Sequence, residues 1–177
     1  MGEIRSTLDI IMEKAGQVKV TDEEKAAFLR NEVEAKVRGL LQKYMDGQIK
    51  QERLREEILA MEGERLSVAN AALKGECLSM IEPAGDNRPV MEVLEQILDL
   101  DTGPVEEILS RYMQDREEKQ TQWEMRIKEG LKGLGISGTA VVPNLRADTG
   151  WIGYLKEART RMRRELASLY DGPGLPE

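Results

Sequence analysis

The chain is short of the residues that most enzyme chemistry requires. It contains no histidine and only one cysteine, Cys77. For this chain, the lack of histidine excludes Ser-His-Asp and Cys-His mechanisms, most zinc sites and the Glu-x-x-His di-iron sites of helical bundles. Cys77 stands in helical phase with Leu73 and Met80, which favours a buried structural thiol over a nucleophile.

Disulfides, aromatic residues and long apolar runs are scarce as well. A single cysteine allows no intramolecular disulfide, so we expect a reducing, cytoplasmic setting. No apolar run approaches the roughly 20 residues of a transmembrane helix, so we expect no membrane partner. The net charge of −7 disfavours non-specific binding of nucleic acid by the chain as a whole, although a local basic patch could still bind it.

Charged and aliphatic residues are abundant by contrast. Charged residues make up 33% of the chain, hydrophobic residues 40% and aromatic residues 4%. This profile is typical of a well-hydrated helical protein and is too apolar for disorder. We therefore predict an all-α fold, an antiparallel helical bundle of five to seven helices with one short extended or β arm near residues 135–144.

The pattern of residues 21–61 predicts a helical hairpin against which the other helices pack. Thr21 and Glu24 match the capping box that begins a helix, and Asp46-Gly47 supplies a left-handed stop. Apolar residues recur at gaps of three and four, which places them on one helix face. They are Ala26, Leu29, Val33, Val37, Leu40 and Tyr44 before the turn, and Leu54, Ile58 and Met61 after it.

The remaining segments follow from the same periodicity and from the breaks at glycine and proline. Residues 1–133 form the predicted helical core, with helices over residues 3–15, up to residue 82 with a break near Gly63, over 88–100 and over 104–132. Residues 134–150 are a predicted extended arm or linker, residues 151–170 the final helix, and residues 171–177 a disordered tail. The polar stretch 115–122 cannot lie deep in a core.

Two motifs suggest catalysis or cofactor binding, and both have a simpler explanation. Gly133 to Gly138 spells GxGxxG, but the dinucleotide fingerprint needs a strand before it and a helix after it, and here the order is reversed. Asp-Thr-Gly occurs at Asp101 and at Asp148 and resembles the catalytic loops of aspartic proteases, an all-β family. Because both copies precede helices, we interpret them as helix caps, and we predict no catalytic residue and no cofactor.

The final helix carries the one basic patch of this acidic chain: Lys156, Arg159, Arg161, Arg163 and Arg164. The first interpretation is charge complementarity with acidic helices of the same chain or of a partner subunit. The second is an RNA contact, although no aromatic interleaving accompanies the patch.

Together these features predict a non-catalytic cytosolic helical interaction or adaptor protein that self-associates as a homodimer. The candidate contact residues are Trp123, Ile136, Val141, Val142 and Trp151, for which packing within the chain is an equally good explanation. One alternative is an RNA- or ribosome-associated protein that uses the basic final helix. Another is an enzyme with a carboxylate-only magnesium or manganese site, because glutamates are abundant.

Overall fold

The computed structural model describes residues 21–170, so the predicted helix 3–15 and the predicted tail 171–177 lie outside the described residues. The described part contains six α-helices and one 3-10 helix. They are α1 (Asp22–Met45), α2 (Gln51–Leu59), α3 (Gly63–Met80), α4 (Arg88–Gln96), α5 (Gly103–Gly133), the 3-10 helix Leu145–Ala147 and α6 (Thr149–Ser168). The all-α prediction is confirmed.

Helix α1 begins and ends as its sequence predicts. The Glu24 amide donates to Thr21 Oγ1 at 3.2 Å and the Thr21 amide donates to Glu24 Oε2 at 2.8 Å, which completes the capping box. At the other end Gly47 adopts a φ of +69°, and the Gln48 amide bonds the Lys43 carbonyl at 2.8 Å. This left-handed stop is the turn between α1 and α2.

A break near Gly63 separates α2 from α3, as the change in the apolar pattern predicts. Gly63 has a φ of +55°, in the left-handed region that favours glycine, and α3 begins there. The predicted helix over residues 88–100 is shorter in the structure, where α4 ends at Gln96. Asp99 takes a φ of +53°, so the chain turns although the residues around it are apolar.

The chain divides into two compact units, Met1–Leu73 and Lys74–Glu177. In the first unit α1 packs on α2, and Lys36 forms an ion pair with Glu57 at 3.6 Å. Its buried side chains are Val33, Val37, Leu41, Leu54, Ile58, Met61, Ala69 and Leu73. The division predicted from the sequence, with a core over residues 1–133, stays a prediction.

The second unit contains the end of α3, then α4, α5, the 3-10 helix and α6, with α5 packed along α6. Its buried side chains are Cys77, Leu78, Ile81, Val90, Val93, Leu94, Thr102, Val105, Ile108, Trp151, Ala158, Met162 and Leu166. The polar middle of α5 is largely exposed to solvent, as the sequence predicts. Among residues 21–170, no helix is both long and apolar enough to cross a membrane.

The segment between α5 and α6 contains no strand, so the predicted β arm near residues 135–144 is wrong in that respect. Gly135, with a φ of +81°, ends α5, and the Ile136 amide bonds the Leu131 carbonyl at 3.0 Å. The β-branched residues that favoured a strand find no neighbouring strand to pair with in the described part of the chain, and residues 135–144 form turns and irregular backbone instead.

Candidate interaction surface on the last two helices

Three aromatic rings join the last part of α5 to the first turns of α6. Ring centroids of Trp123 and Trp151 lie 5.8 Å apart, those of Trp123 and Tyr154 5.7 Å, and those of Trp151 and Tyr154 5.5 Å. Arg126 stacks over Trp123 with its guanidinium carbon 4.9 Å from the ring centroid. The cluster fixes where α6 begins relative to α5, and therefore which of its side chains point outward.

Asp148 connects this aromatic cluster to the helix cap. Its Oδ1 accepts the Trp151 amide at 2.7 Å as the N-cap of α6, and it accepts the Trp123 indole N–H at 3.2 Å. The hydrogen bond from the Trp151 amide, supported by the Trp123 indole and the positive charge of Arg126, lowers the pKa of the Asp148 carboxyl. The second Asp-Thr-Gly motif is therefore a helix cap.

The first Asp-Thr-Gly motif is also structural. Asp101 Oδ1 accepts the Gly103 amide at 2.9 Å at the start of α5. Thr102 is buried and its hydroxyl donates to a carboxylate oxygen of Glu95. The Asp101 carbonyl accepts the Tyr170 hydroxyl at 2.7 Å. Each of these groups is occupied by a neighbour within the second unit.

The basic patch of α6 separates into two sets of side chains. Arg159 and Arg163 both bind the carboxylate of Glu82, Arg163 at 3.0 Å. The hydrogen bond from Arg159, with the charge of Arg163 beside it, lowers the pKa of Glu82. These two arginines are therefore paired within the second unit, with a carboxylate that follows the end of α3.

The other three cations, Lys156, Arg161 and Arg164, have no ion pair within residues 21–170. With Gly153, Glu157 and Thr160 they lie along one solvent-facing side of α6. We call this set of six residues the outer face of α6. It contains the only part of the predicted basic patch that is unpaired within the described residues.

The predicted contact residues lie in two different environments. Trp151 is 5% exposed and packs on Trp123, so the two tryptophans contact each other within the chain. Ile136 and Val142 are exposed, at 50% and 83%, while Val141 is half-buried and its amide bonds the Gly138 carbonyl at 3.3 Å. Leu134 is 77% exposed as well. Residues 134–142 thus form a segment of exposed aliphatic side chains, which we call the apolar segment.

The remaining candidates for chemistry are the single cysteine, the acidic side chains and the GxGxxG motif. Cys77 is fully buried, and burial, with the negative charge of Glu76 beside it, raises the pKa of its thiol to about 12. Across the described range, no group of three or more cysteine, aspartate and glutamate side chains is arranged to hold a metal ion. The GxGxxG motif lies at the end of α5, where Gly135 terminates the helix.

Sequence reasoning missed two residues that matter at this surface, Glu82 and Tyr154. Glu82 stands before Pro83 and reads only as the end of a helix, yet it pairs with two arginines of α6. Tyr154 completes the aromatic cluster, and its hydroxyl donates to the Asp115 carbonyl at 3.3 Å. The helical spacing of Tyr154 from Trp151 is a sequence signal that could have identified Tyr154. Glu82 pairs with residues about 80 positions away, so no local sequence pattern indicates its role.

Comparison of the chain with protein-family models, with curated proteins and with solved structures found no match to any of them.

Proposed function

We propose that the protein is a non-catalytic helical interaction protein that self-associates through the apolar segment, residues 134–142. The observation that carries this proposal is the exposure of Leu134, Ile136 and Val142 on one short stretch between two well-packed helices. Exposed aliphatic residues concentrated in one place, unlike scattered ones, mark interaction sites. The aromatic cluster holds α5 and α6 together at this end of the unit, so the segment joins two fixed helices.

A second copy is the partner we favour because it needs no further component, and most soluble oligomers are homo-oligomers. A cytosolic setting is part of the proposal, since the single cysteine is buried and unpaired. An adaptor role would follow if the dimer left other surfaces free for a different protein.

The test is the mass of the full chain in solution, measured by light scattering across a range of concentrations. We expect a mass near twice the 20.0 kDa of one chain. Ile136→Asp combined with Val142→Asp should shift the protein toward the monomer, because a buried charge in an apolar contact is strongly unfavourable.

Leu59→Asp is the matched control, because Leu59 is 53% exposed on α2, outside the apolar segment. It should leave the mass unchanged, and circular dichroism should show that all variants remain helical. A wild-type chain that stays at 20.0 kDa at every concentration would contradict self-association.

RNA binding by α6 remains the second candidate, favoured by the three cations of the outer face that have no ion pair with any residue between 21 and 170. Its support is reduced because Glu82 occupies Arg159 and Arg163. Binding of an RNA oligonucleotide at about 150 mM salt, lost on Arg161→Glu with Arg164→Glu, would favour RNA binding over self-association.

The carboxylate-only metal enzyme remains a third proposal, which a rise in melting temperature with magnesium or manganese would support.

A further inference from the structure

The first turns of α1 extend beyond the part of that helix on which α2 packs. Helix α1 has 24 residues and α2 has nine, which correspond to about 36 Å and about 13.5 Å of helix. The buried residues of α1 all lie in its second half, and they are Val33, Val37 and Leu41. None of residues 22–31 is buried. We call this stretch of ten residues the open end of α1.

The open end of α1 is apolar as well as exposed. Ala26, Ala27 and Phe28 are exposed, Phe28 at 72%, and Leu29 is half-buried. About ten residues of helix are only marginally stable in water without tertiary packing, and the apolar side of a helix supplies that packing when it meets a neighbour. A segment that covers this apolar surface would therefore stabilise the start of α1.

The 20 residues that precede Thr21 carry an apolar pattern that matches the open end. At gaps of four, three and four they have the apolar residues Ile4, Leu8, Ile11 and Ala15. In α1, read backwards from Val33, Leu29 and Ala26 follow at gaps of four and three. Each row lies on one side of a helix, because residues three and four apart share a face. Two helices with these rows can therefore pack antiparallel with the rows in register.

From this match we propose that residues 3–15 form a helix that packs antiparallel on the open end of α1. Residues 16–20 are then the turn between the two helices, and five residues is an ordinary length for a connection between antiparallel helices. The 13 residues of the proposed helix span about 20 Å, which is enough to cover the roughly 15 Å of the open end. The length of chain before α1 and the point at which α1 begins are thus sufficient for this contact.

The proposed packing has a definite register. It places Leu8 opposite Leu29, and Ile11 opposite Ala26, so that aliphatic side chains meet along the open end. Ile10 follows Leu8 by two residues and therefore lies on the other side of the same helix. The register thus separates two neighbouring isoleucines, of which only Ile11 contacts α1.

The same chain is the occupant we favour because the two helices are covalently linked. A short linker gives the attached segment an effective concentration in the millimolar range, so a free partner at micromolar concentration competes poorly for the same surface. This contact lies within the first unit and does not depend on self-association through the apolar segment. Failure of either proposal leaves the other intact.

The first experiment is hydrogen exchange of the amides of residues 26–31 in the full chain, followed by mass spectrometry. Ile11→Asp places a charge in the apolar contact and should make these amides exchange at least roughly tenfold faster than in the wild type. Ile10→Asp is the matched control, because the same substitution falls on the other side of the proposed helix and should leave the exchange unchanged. The amides of α2 should exchange equally in all three proteins, which shows that the hairpin of α1 and α2 remains folded.

Disulfide cross-linking tests the register directly. Leu8→Cys combined with Leu29→Cys should give a disulfide within one chain on mild oxidation, seen as faster migration on a denaturing gel without reductant. Leu8→Cys combined with Asn31→Cys is the matched control, because Asn31 is exposed and lies two residues from Leu29, on the other side of α1. The buried Cys77 should take no part in either variant.

The outcomes distinguish the possible occupants of the open end. Faster exchange in Ile11→Asp but not in Ile10→Asp, with an intrachain disulfide in the first cysteine pair, supports the proposed helix. Equal exchange in the wild type and Ile11→Asp overturns it, because the open end is then either bare or covered by something else. Disulfide-linked dimers in place of the intrachain product would assign the contact to a second copy and would also overturn the proposal.

Discussion

At the scale of single residues, Cys77 shows how burial determines the chemistry of a thiol. Leu73 and Cys77 are fully buried one turn apart on α3, and the Cys77 thiol is held out of water. With the pKa of the thiol raised to about 12, almost no thiolate exists near neutral pH. Since the thiolate is the reactive species, the residue is chemically inert in the folded chain.

We therefore expect Cys77 to react with a thiol reagent at pH 8 at least about a thousandfold more slowly in the folded protein than in denaturant. The measurement is the rate of colour release from a disulfide reagent such as dithiobis-nitrobenzoate. Ser79→Cys is the matched control, because Ser79 is exposed on the same helix and its thiol should react at once. Rapid labelling of Cys77 in the native chain would contradict its structural role.

At the scale of helices, the start of α6 depends on one carboxylate. Asp148 accepts the Trp151 amide and the Trp123 indole N–H, so it joins the helix cap to the aromatic cluster. Both hydrogen bonds favour the ionised carboxylate, and they lower its pKa in the folded chain. A carboxyl with a lowered folded pKa stabilises the fold above its ordinary pKa of about 3.9 and loses that contribution as the pH falls through the lower folded value.

We expect Asp148→Ala to lower the melting temperature near neutral pH, because both acceptor bonds disappear. Asp148→Asn should lower the melting temperature less, since the amide oxygen can still accept a hydrogen bond. Because the amide does not titrate, this variant should lose less stability than the wild type does below about pH 4. Thermal melts followed by tryptophan fluorescence between neutral and acid pH would show this. Equal melting temperatures for the alanine variant and the wild type at neutral pH would be inconsistent with such a cap.

The helices were predictable from the sequence because their signals are local. The capping box at Thr21, the left-handed glycines and the apolar periodicity of α6 depend on residues three or four apart, and the structure has each of them. The end of α4 was placed too late because Asp99 adopts a left-handed φ that its apolar neighbours conceal. The strand near residues 135–144 was predicted from β-branched residues, but a strand needs a partner that a local pattern does not specify.

The interaction surface on α5 and α6 was predicted only in part, because local patterns do not specify contacts between residues far apart along the chain. The sequence identified the basic patch, but which cations are paired depends on Glu82, far away along the chain. It proposed both tryptophans as contact residues, and the structure brings them together within the second unit. It could not show that Ile136 and Val142 are exposed, because exposure depends on whether another segment covers them.

At the scale of the whole molecule, the division into two units falls between Leu73 and Lys74, inside α3. One continuous helix therefore supplies buried residues to both units, with Ala69 and Leu73 in the first and Cys77 and Leu78 in the second. Each unit has its own set of buried aliphatic side chains. A helix that crosses the division should transmit part, and not all, of a loss of stability from one unit to the other.

Leu54→Ala tests this partial coupling, because Leu54 is fully buried in the first unit and its truncation should cost about 2–5 kcal/mol. Trp123 and Trp151, the only tryptophans, both lie in the second unit, whereas circular dichroism reports on helices of both. In Leu54→Ala, we expect the denaturation midpoint measured by circular dichroism to fall further than the midpoint measured by tryptophan fluorescence. Leu94→Ala, equally buried but in the second unit, should lower the fluorescence midpoint at least as much. Identical shifts of both probes in Leu54→Ala would instead mean that the described helices unfold as one cooperative unit, since coincident transitions are the mark of two-state behaviour.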